Sequence, residues 1–347
     1  MPYVLATADR LIANDPYPAA AAGMATTPHE RLSGQGVCEG DELPVAWDHS
    51  AFEVDSWFGG RATPTAAEWL RGIELDGYAV VPGILPPPLL AELRAATAQF
   101  ETTGRDYSSR QRGYTLAGLP DIDAALLSPR PSALGQLPAH SPTLERLDEA
   151  FGGLPMCSGM GYDVSHIGTP GISLHTDSQP FGSTIFGGAF SGSALIRVLY
   201  YLDDLTLDTS PFRCIPRSHL SLHEDANPYT RYSSHPEQRV VTLPAGSALF
   251  LNGKLFHGTL PNTGTHDRRM LAVAYRPAWA GPAPIGEPLP QWDPEAVSRL
   301  GVNVRALFSR DPNLREGFVF EQSNKQEGMK GDASGVRPSR WRLLGRL

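Results

Sequence analysis

Two periodicities divide the chain. Between residues 63 and 151 apolar positions recur at helical spacing in separate stretches. From about 155 to 275 they fall into short runs separated by Gly and Pro. In the first part, Thr63-Pro64-Thr65 opens a predicted helix over 66–74, with Ala66, Trp69, Leu70 and Ile73 on one face. Gly77-Tyr78-Ala79-Val80-Val81-Pro82-Gly83 reads as a short strand and turn. Pro86-Pro87-Pro88 precedes a second helix over about 89–100, in which Leu89, Leu93, Ala96 and Phe100 share a face, and proline is well tolerated at a helix start. A third helix is predicted over 141–151. The second part predicts strands at 159–167, 172–177, 193–202, 213–216, 239–243, 247–251 and 270–275. Many short strands at short intervals imply a β-sandwich or barrel.

The remaining stretches have no period. Residues 1–62 read as an extended arm, part of which docks through Phe52, Trp57 and Phe58. Residues 102–135 read as a loop holding Arg105, Arg110, Arg112 and Tyr114. That loop is either a solvated polar segment or a lid bringing a basic group to an anionic ligand. After Pro277 come a Pro-rich linker, helix fragments over 294–300 and 304–308, and a polar tail. The expected division is an arm (1–62), a core domain (63–282) and a C-terminal extension (283–347) packing on or lidding that core.

Composition narrows the function classes. At 41% hydrophobic the 347 residues can build a sizeable core, and 35 Gly with 32 Pro favour turns and short strands. The net charge of −8, with no basic block of five or more residues, argues against nucleic-acid or membrane-surface partners and leaves a small-molecule substrate. Cys38, Cys157 and Cys214 are odd in number and form no CxxC pair. They argue against a disulfide scaffold or zinc-thiolate site and for a reducing, cytoplasmic setting. Met1–Asp15 is not expected to be a signal peptide, and no run of eighteen apolar residues predicts a membrane span.

The candidate chemistry lies in the strand-rich part. His175-Thr176-Asp177 places an imidazole and a carboxylate on one side of an extended strand, because side chains alternate with period two. Alone this is a common tripeptide. A distant histidine, His257, can complete a facial set of two histidines and one carboxylate, the arrangement of non-haem Fe(II) oxygenases. Beyond His257 a turn built from Pro261, Asn262 and Gly264 leads to a returning strand at Arg268, expected to run antiparallel alongside His257. An arginine at the start of an apolar strand needs an anionic partner, and its planar fork suits a carboxylate. Thr259 can donate a hydroxyl to the same anion. Alternation sends Arg269 to the opposite face, which favours Arg268 of the tandem pair.

These residues resemble the phytanoyl-CoA dioxygenase-like branch of the Fe(II)/2-oxoglutarate-dependent oxygenases. The resemblance rests on His175-Thr176-Asp177, on Ile215-Pro216-Arg217-Ser218-His219 for an Ile-Pro-Gly-Ser-His turn, and on His257-Gly258-Thr259 with Arg268 eleven residues after the histidine. Leu75 to Gly83 matches the branch's domain opening, and the whole covers about 65–280. It implies a mainly β, double-stranded β-helix (jelly-roll, cupin-like) core with flanking N- and C-terminal helices. It also implies Fe(II) on His175, Asp177 and His257, and 2-oxoglutarate held at its distal carboxylate by Arg268, with Thr259 at the usual serine position. O2 would take the last metal site, and decarboxylation to succinate and CO2 would supply the oxidant that removes hydrogen from the substrate. Halogenating relatives replace the carboxylate with a small residue. Asp177 therefore implies hydroxylation or another hydrogen-abstraction outcome, with desaturation, epoxidation and ring closure needing the same ligands. Two departures stand out. Thr209-Ser210 replaces the branch's Asn-Gly, and Arg217 replaces the glycine of its turn.

Other candidates surround these. Arg197 interrupts the apolar run 193–202 and either reaches the proximal carboxylate of 2-oxoglutarate or an anionic substrate group, or faces outward on the surface. Tyr162 and His166 share a strand face where the branch lines its cosubstrate site, though a histidine there is more often a hydrogen-bonded core or edge residue. Gln179 and Phe181 follow the carboxylate and are candidates for the substrate pocket, Gln179 equally for a turn. His219 and His223 read as structural. Trp57, Trp69 and Trp292 read as packing residues. Two further readings stay open: a cupin-type metalloenzyme that does not use 2-oxoglutarate, and an inactive family member acting as a binding protein.

Overall fold

Tertiary pairing converts the predicted runs into two facing sheets. The computed structural model defines residues 53–98, 105–106, 114–117, 133–168, 171–175, 177, 195–220, 237–278, 298, 302–308 and 315. At 105–106, 114–117, Ser173, His175 and Val302 it defines the backbone alone. In chain order the elements are β1 (Glu53–Ser56), α1 (Ala66–Arg71), a π turn (Gly72–Asp76), β2 (Tyr78–Val81), α2 (Pro87–Thr97), β3 (Arg105–Asp106) and β4 (Tyr114–Ala117). Then come α3 (Ala133–Gln136), α4 (Ser141–Phe151), β5 (Pro155–Ser165), β6 (Ile172–His175), β7 (Ile196–Tyr201), β8 (Phe212–Cys214) and β9 (Arg239–Thr242). The last are β10 (Ala248–Asn252), β11 (His257–Thr259), β12 (Arg268–Pro277) and α5 (Val302–Phe308).

The smaller sheet has the order β1-β9-β8-β11-β6, the larger β2-β10-β7-β12-β5-β4-β3. Alternation assigns the faces. Ile196, Val198, Tyr200 and Leu202 pack with Met160, Tyr162, Val164, Leu271, Val273 and Tyr275 under Trp69, Leu93, Leu144 and Leu147 of the helices. The odd-numbered neighbours Leu199 and Tyr201 instead pack with Phe212, Cys214 and Val241 of the smaller sheet. The larger sheet is thus buried on both faces, and the space between the sheets is where its odd-numbered β7 positions point.

Local physics explains the helix boundaries. Thr65 caps α1 through its hydroxyl, and Glu68 reaches back to the Thr65 amide, a reciprocal capping box. The helix predicted over 66–74 changes to a π turn at Gly72, where an added Cβ would lie 2.9 Å from the Tyr78 carbonyl oxygen. Gly77, in the left-handed region at φ 85°, ends it.

Residues 53–56, within the arm, form β1, which pairs in parallel with β9. Several expectations are corrected. Within the loop predicted over 102–135, β3 and β4 extend the larger sheet, and Arg105 and Tyr114 lie on those strands. Arg110, Arg112, Phe52, Phe100, His223, Trp292 and nearly all of the helix fragment over 294–300 lie outside the described residues. β11 and β12 are not a hairpin: they belong to different sheets, and the Cα partner of Arg268 is Ser165. The turn between them is a crossover, held by Asn262, which is fully buried and donates from Nδ2 to the Ser165 carbonyl at 2.8 Å.

Candidate metal and carboxylate site

The two halves of the predicted ligand set meet by backbone pairing. His257 on β11 is the Cα partner of His175 on β6 and of Cys214 on β8. The approach of β6 requires a glycine at its entrance. Gly171 has φ +83°, and a Cβ there would sit 2.5 Å from the Thr259 carbonyl oxygen. Thr259 reinforces the join, its hydroxyl accepting from the Ile172 amide at 3.0 Å. The position of His175 is thereby set, while its side chain lies outside what is described, as do Gln179 and Phe181.

The His257 ring is oriented from two sides. It stacks on Phe212 with ring centroids 5.7 Å apart, and its Nδ1 lies 2.9 Å from the Leu255 carbonyl. A carbonyl only accepts, so Nδ1 carries the hydrogen and Nε2 keeps its lone pair. Asp177 is its neighbour, with Oδ2 3.6 Å from Nε2. Adjacent donors on an octahedral ion with bonds of about 2.1 Å lie about 3 Å apart. The pair is therefore close to bridging distance, the carboxylate is only 6% exposed, and the donor chemistry fits a divalent metal.

Asp177 has a second neighbour. Arg197 Nε lies 3.1 Å from the same Oδ2. Arg197 shares its strand face with Leu199 and Tyr201, so it points between the sheets. An outward-facing surface arginine is excluded by that placement.

Arg268 also enters the space between the sheets, but farther along. It is 1% exposed, its Nη1 donates to Asp163 Oδ1 at 3.2 Å, and its guanidinium lies 5.7 Å from the Tyr201 ring centroid. Burial pushes the Asp163 carboxyl above its usual range, and the Arg268 charge opposes that shift. Arg269 points to the other face and binds Asp203 through two side-chain nitrogens, at 2.8 and 2.7 Å. The anionic partner that Arg268 requires thus includes an internal carboxylate.

Sequence reasoning missed Asp163. Its signal was a lone acid in the apolar run of β5, one pleat away from a strand-opening arginine.

Two expected site residues lie elsewhere. Tyr162 is fully buried, but on the opposite face of β5 from Asp163, in the helix-covered core. Alternation along β5 is the reason, and it corrects the placement of Tyr162 at a cosubstrate site. His166 lies just beyond β5, part-exposed, with Nδ1 2.8 Å from Asp267 Oδ2, so it clips the strand ends together at the surface. His219 is structural: its Nε2 lies 3.0 Å from the Glu74 carbonyl, and burial pushes its pKa down to about 4. Trp69 packs edge-on against Phe250. Cys157 and Cys214 are buried free thiols, and burial raises both. Among the described residues no helix is long and apolar enough to cross a membrane.

The two departures from the family turns coincide with backbone geometry. Ser210 and Arg217 are the non-glycine residues with positive φ among those described, at 59° and 69°. The left-handed turns that glycine would favour are retained with side chains in place.

Comparison with known proteins agrees with this architecture. No curated protein sequence matches the chain. Among solved structures, the fold is similar to that of SnoN, a non-heme alpha ketoglutarate dependent epimerase from nogalamycin biosynthesis. The identity is 19% and the TM-score 0.54, over 66% of this chain and 88% of SnoN. SnoN in complex with Fe3+, alpha ketoglutarate and nogalamycin RO gives 19% identity and a TM-score of 0.50, over 64% and 87%. HygX from Streptomyces hygroscopicus, with nickel, 2-oxoglutarate and hygromycin B bound, gives 17% and 0.49, over 61% and 87%. At these identities the likeness is one of fold. The sequence profile of the family described as phytanoyl-CoA dioxygenase (PhyH) matches residues 73–270, more than half of the chain and the span that holds every metal and carboxylate candidate above, so this chain belongs to the phytanoyl-CoA dioxygenase family.

Proposed function

We propose that this chain is a non-haem Fe(II)- and 2-oxoglutarate-dependent dioxygenase with a double-stranded β-helix core. It oxidises a C–H bond of a small-molecule metabolite, most simply by hydroxylation, with release of succinate and CO2. The observation that carries the reading is the pairing of His257 with His175 beside Asp177, with the Asp177 carboxylate 3.6 Å from His257 Nε2. In this reading His175, Asp177 and His257 hold the iron. Bound there, iron with 2-oxoglutarate supplies the O2-derived oxidant for the C–H bond.

The protein's own residues orient and shield. Leu255 fixes the His257 tautomer and Phe212 fixes its plane. Thr259 ties β6 to β11. Arg268, sheltered under Tyr201, takes the distal carboxylate of the cosubstrate and shares its fork with Asp163. The complex of SnoN, a protein of similar fold, with Fe3+ and alpha ketoglutarate supports such a ligand set.

The Asp163–Arg268 ion pair favours a second reading, a metalloenzyme of the same fold in which that guanidinium is satisfied internally and 2-oxoglutarate is not used. Anaerobic protein loaded with Fe(II) and 2-oxoglutarate decides between them. The dioxygenase reading requires a metal-to-ligand charge-transfer band, and succinate release on adding O2. Folded, iron-bound protein without the band sinks it.

A further inference from the structure

Arg268 and Asp163 form a charged pair within the apolar space between the sheets. Met270 is the Cα partner of Asp163 on β5 and of Tyr201 on β7, and Arg268 stands two residues before it on the same face of β12. The guanidinium therefore has a carboxylate on one flank and an aromatic ring on the other. Its Nη1 donates to Asp163 Oδ1 at 3.2 Å, and the Tyr201 ring centroid is 5.7 Å away. Arg268 is 1% exposed and Asp163 9%, so water screens the pair little.

Three basic groups face Asp163: Arg268 from β12, His166 from just beyond its own strand and Arg197 from β7. Burial raises the carboxyl in spite of all three. His166 also neighbours Asp267, and Arg197 Nε is 3.1 Å from Asp177 Oδ2, so both have another carboxylate beside them. Charge counting then constrains what Arg268 can take. One guanidinium with one buried carboxylate is neutral. A second carboxylate on the same fork adds a negative charge that solvent cannot offset, and two carboxylates sharing a site resist being ionised together. A proton on Asp163 removes the excess. The protonated group still accepts from Arg268 through its carbonyl oxygen, and its O–H becomes a donor for the incoming carboxylate. We propose that Asp163 is a proton-accepting positioning residue: a carboxylate that joins it on Arg268 enters together with one proton, which Asp163 takes. This deepens the dioxygenase reading and rests on it, since the carboxylate concerned is the distal one of 2-oxoglutarate.

The test uses the full-length protein loaded with Ni(II), a metal that does not turn over. Calorimetry of 2-oxoglutarate binding in buffers of different ionisation enthalpy reads the protons exchanged. Both ligand carboxylates are ionised well above about pH 5, so a proton taken up there goes to the protein. At low pH Asp163 already holds its proton and uptake vanishes. As pH rises and Asp163 ionises, each ligand bound brings a proton, so affinity falls with rising pH. The expected result at about pH 8 is uptake approaching one proton per ligand, with affinity falling by up to about tenfold per pH unit. The ligand 2-oxobutyrate, which lacks the distal carboxylate, should bind without uptake. D163N should take up no proton and bind 2-oxoglutarate about tenfold or more tightly than wild type at the same pH. H166Q should keep the uptake. Should D163N fail to fold, the contrast between the two ligands on wild type still decides. Wild type binding 2-oxoglutarate with no uptake, or with the same uptake as 2-oxobutyrate, overturns the proposal. Uptake that survives D163N, or disappears in H166Q, overturns the assignment to Asp163. Those outcomes leave the dioxygenase reading intact, whereas Ni(II)-loaded wild type that does not bind 2-oxoglutarate overturns both.

Discussion

The two sheets are held by different forces. The larger sheet is buried on both faces, with the helices and α5 against one side and the inter-sheet core against the other. Its strands read as near-continuous apolar runs, and its register follows from burial. The smaller sheet has strands of three or four residues and is fixed by individual contacts: a glycine with no room for a Cβ at 171, the Thr259 hydroxyl on the Ile172 amide, and Arg213, fully buried, donating to the Ile172 carbonyl. Stability resides mainly in the first, and the geometry of the candidate metal site in the second. Substitutions in the two sheets should therefore separate stability from metal binding.

The largest effect is expected in the larger sheet's core. Trp69→Ala, at a fully buried ring packed on Phe250, should cost about 4 kcal/mol in urea unfolding while the folded fraction keeps its Ni(II) affinity. Metal affinity that falls in step with stability would dissolve the distinction between the sheets. Arg268→Met strands the buried Asp163 carboxylate and should cost about 3 kcal/mol, and Asp163→Asn made together with it should recover part of that loss in a double-mutant cycle.

Gly171→Ala tests the other side of the comparison. Its strained φ alone costs about 1–2 kcal/mol, and the clash with Thr259 displaces β6. Metal affinity should fall more than stability does, as read by chelator competition beside a melting curve.

Acid should act on both sheets' supports through two buried histidines. Burial lowers His140 and His219 to about 4, below the ordinary 6.5. As pH falls below about 6.5 the unfolded chain takes up these protons first. Stability is thus full above that pH, declines towards pH 4 and levels off below it. H140Q and H219Q should each flatten the decline in urea midpoints measured across that window. The smallest effect is a gain: Arg217→Gly relieves a left-handed residue whose side chain is mostly exposed and should stabilise by about 1 kcal/mol in the same assay.

Much of this was legible from residue order. Alternation separates Arg268 from Arg269, and the structure places them on opposite faces with different carboxylates. The helices at 87–97 and 141–151 follow from apolar spacing and proline-led starts. Less legible were features set by partners distant in sequence. The turn at Pro261–Gly264 has hairpin residues, yet Asn262 is buried and carries the chain from one sheet to the other. Tyr162 and Asp163 are adjacent in sequence, and only the packing of helices on one face tells which of them points into the site.

By itself the sequence determined the family, the strand-rich core and the order of candidate ligands along it, because those depend on residue type, spacing and period. Tertiary structure decided which groups share a space. The pairing of β6 with β11 brings His257 to His175 across eighty residues. The sheet switch at Asn262 moves Arg268 away from His257 and gives it Asp163. The inward face of β7 brings Arg197 onto Asp177. Each is a contact between distant segments, set by which faces the hydrophobic core buries, and no local pattern carries that information.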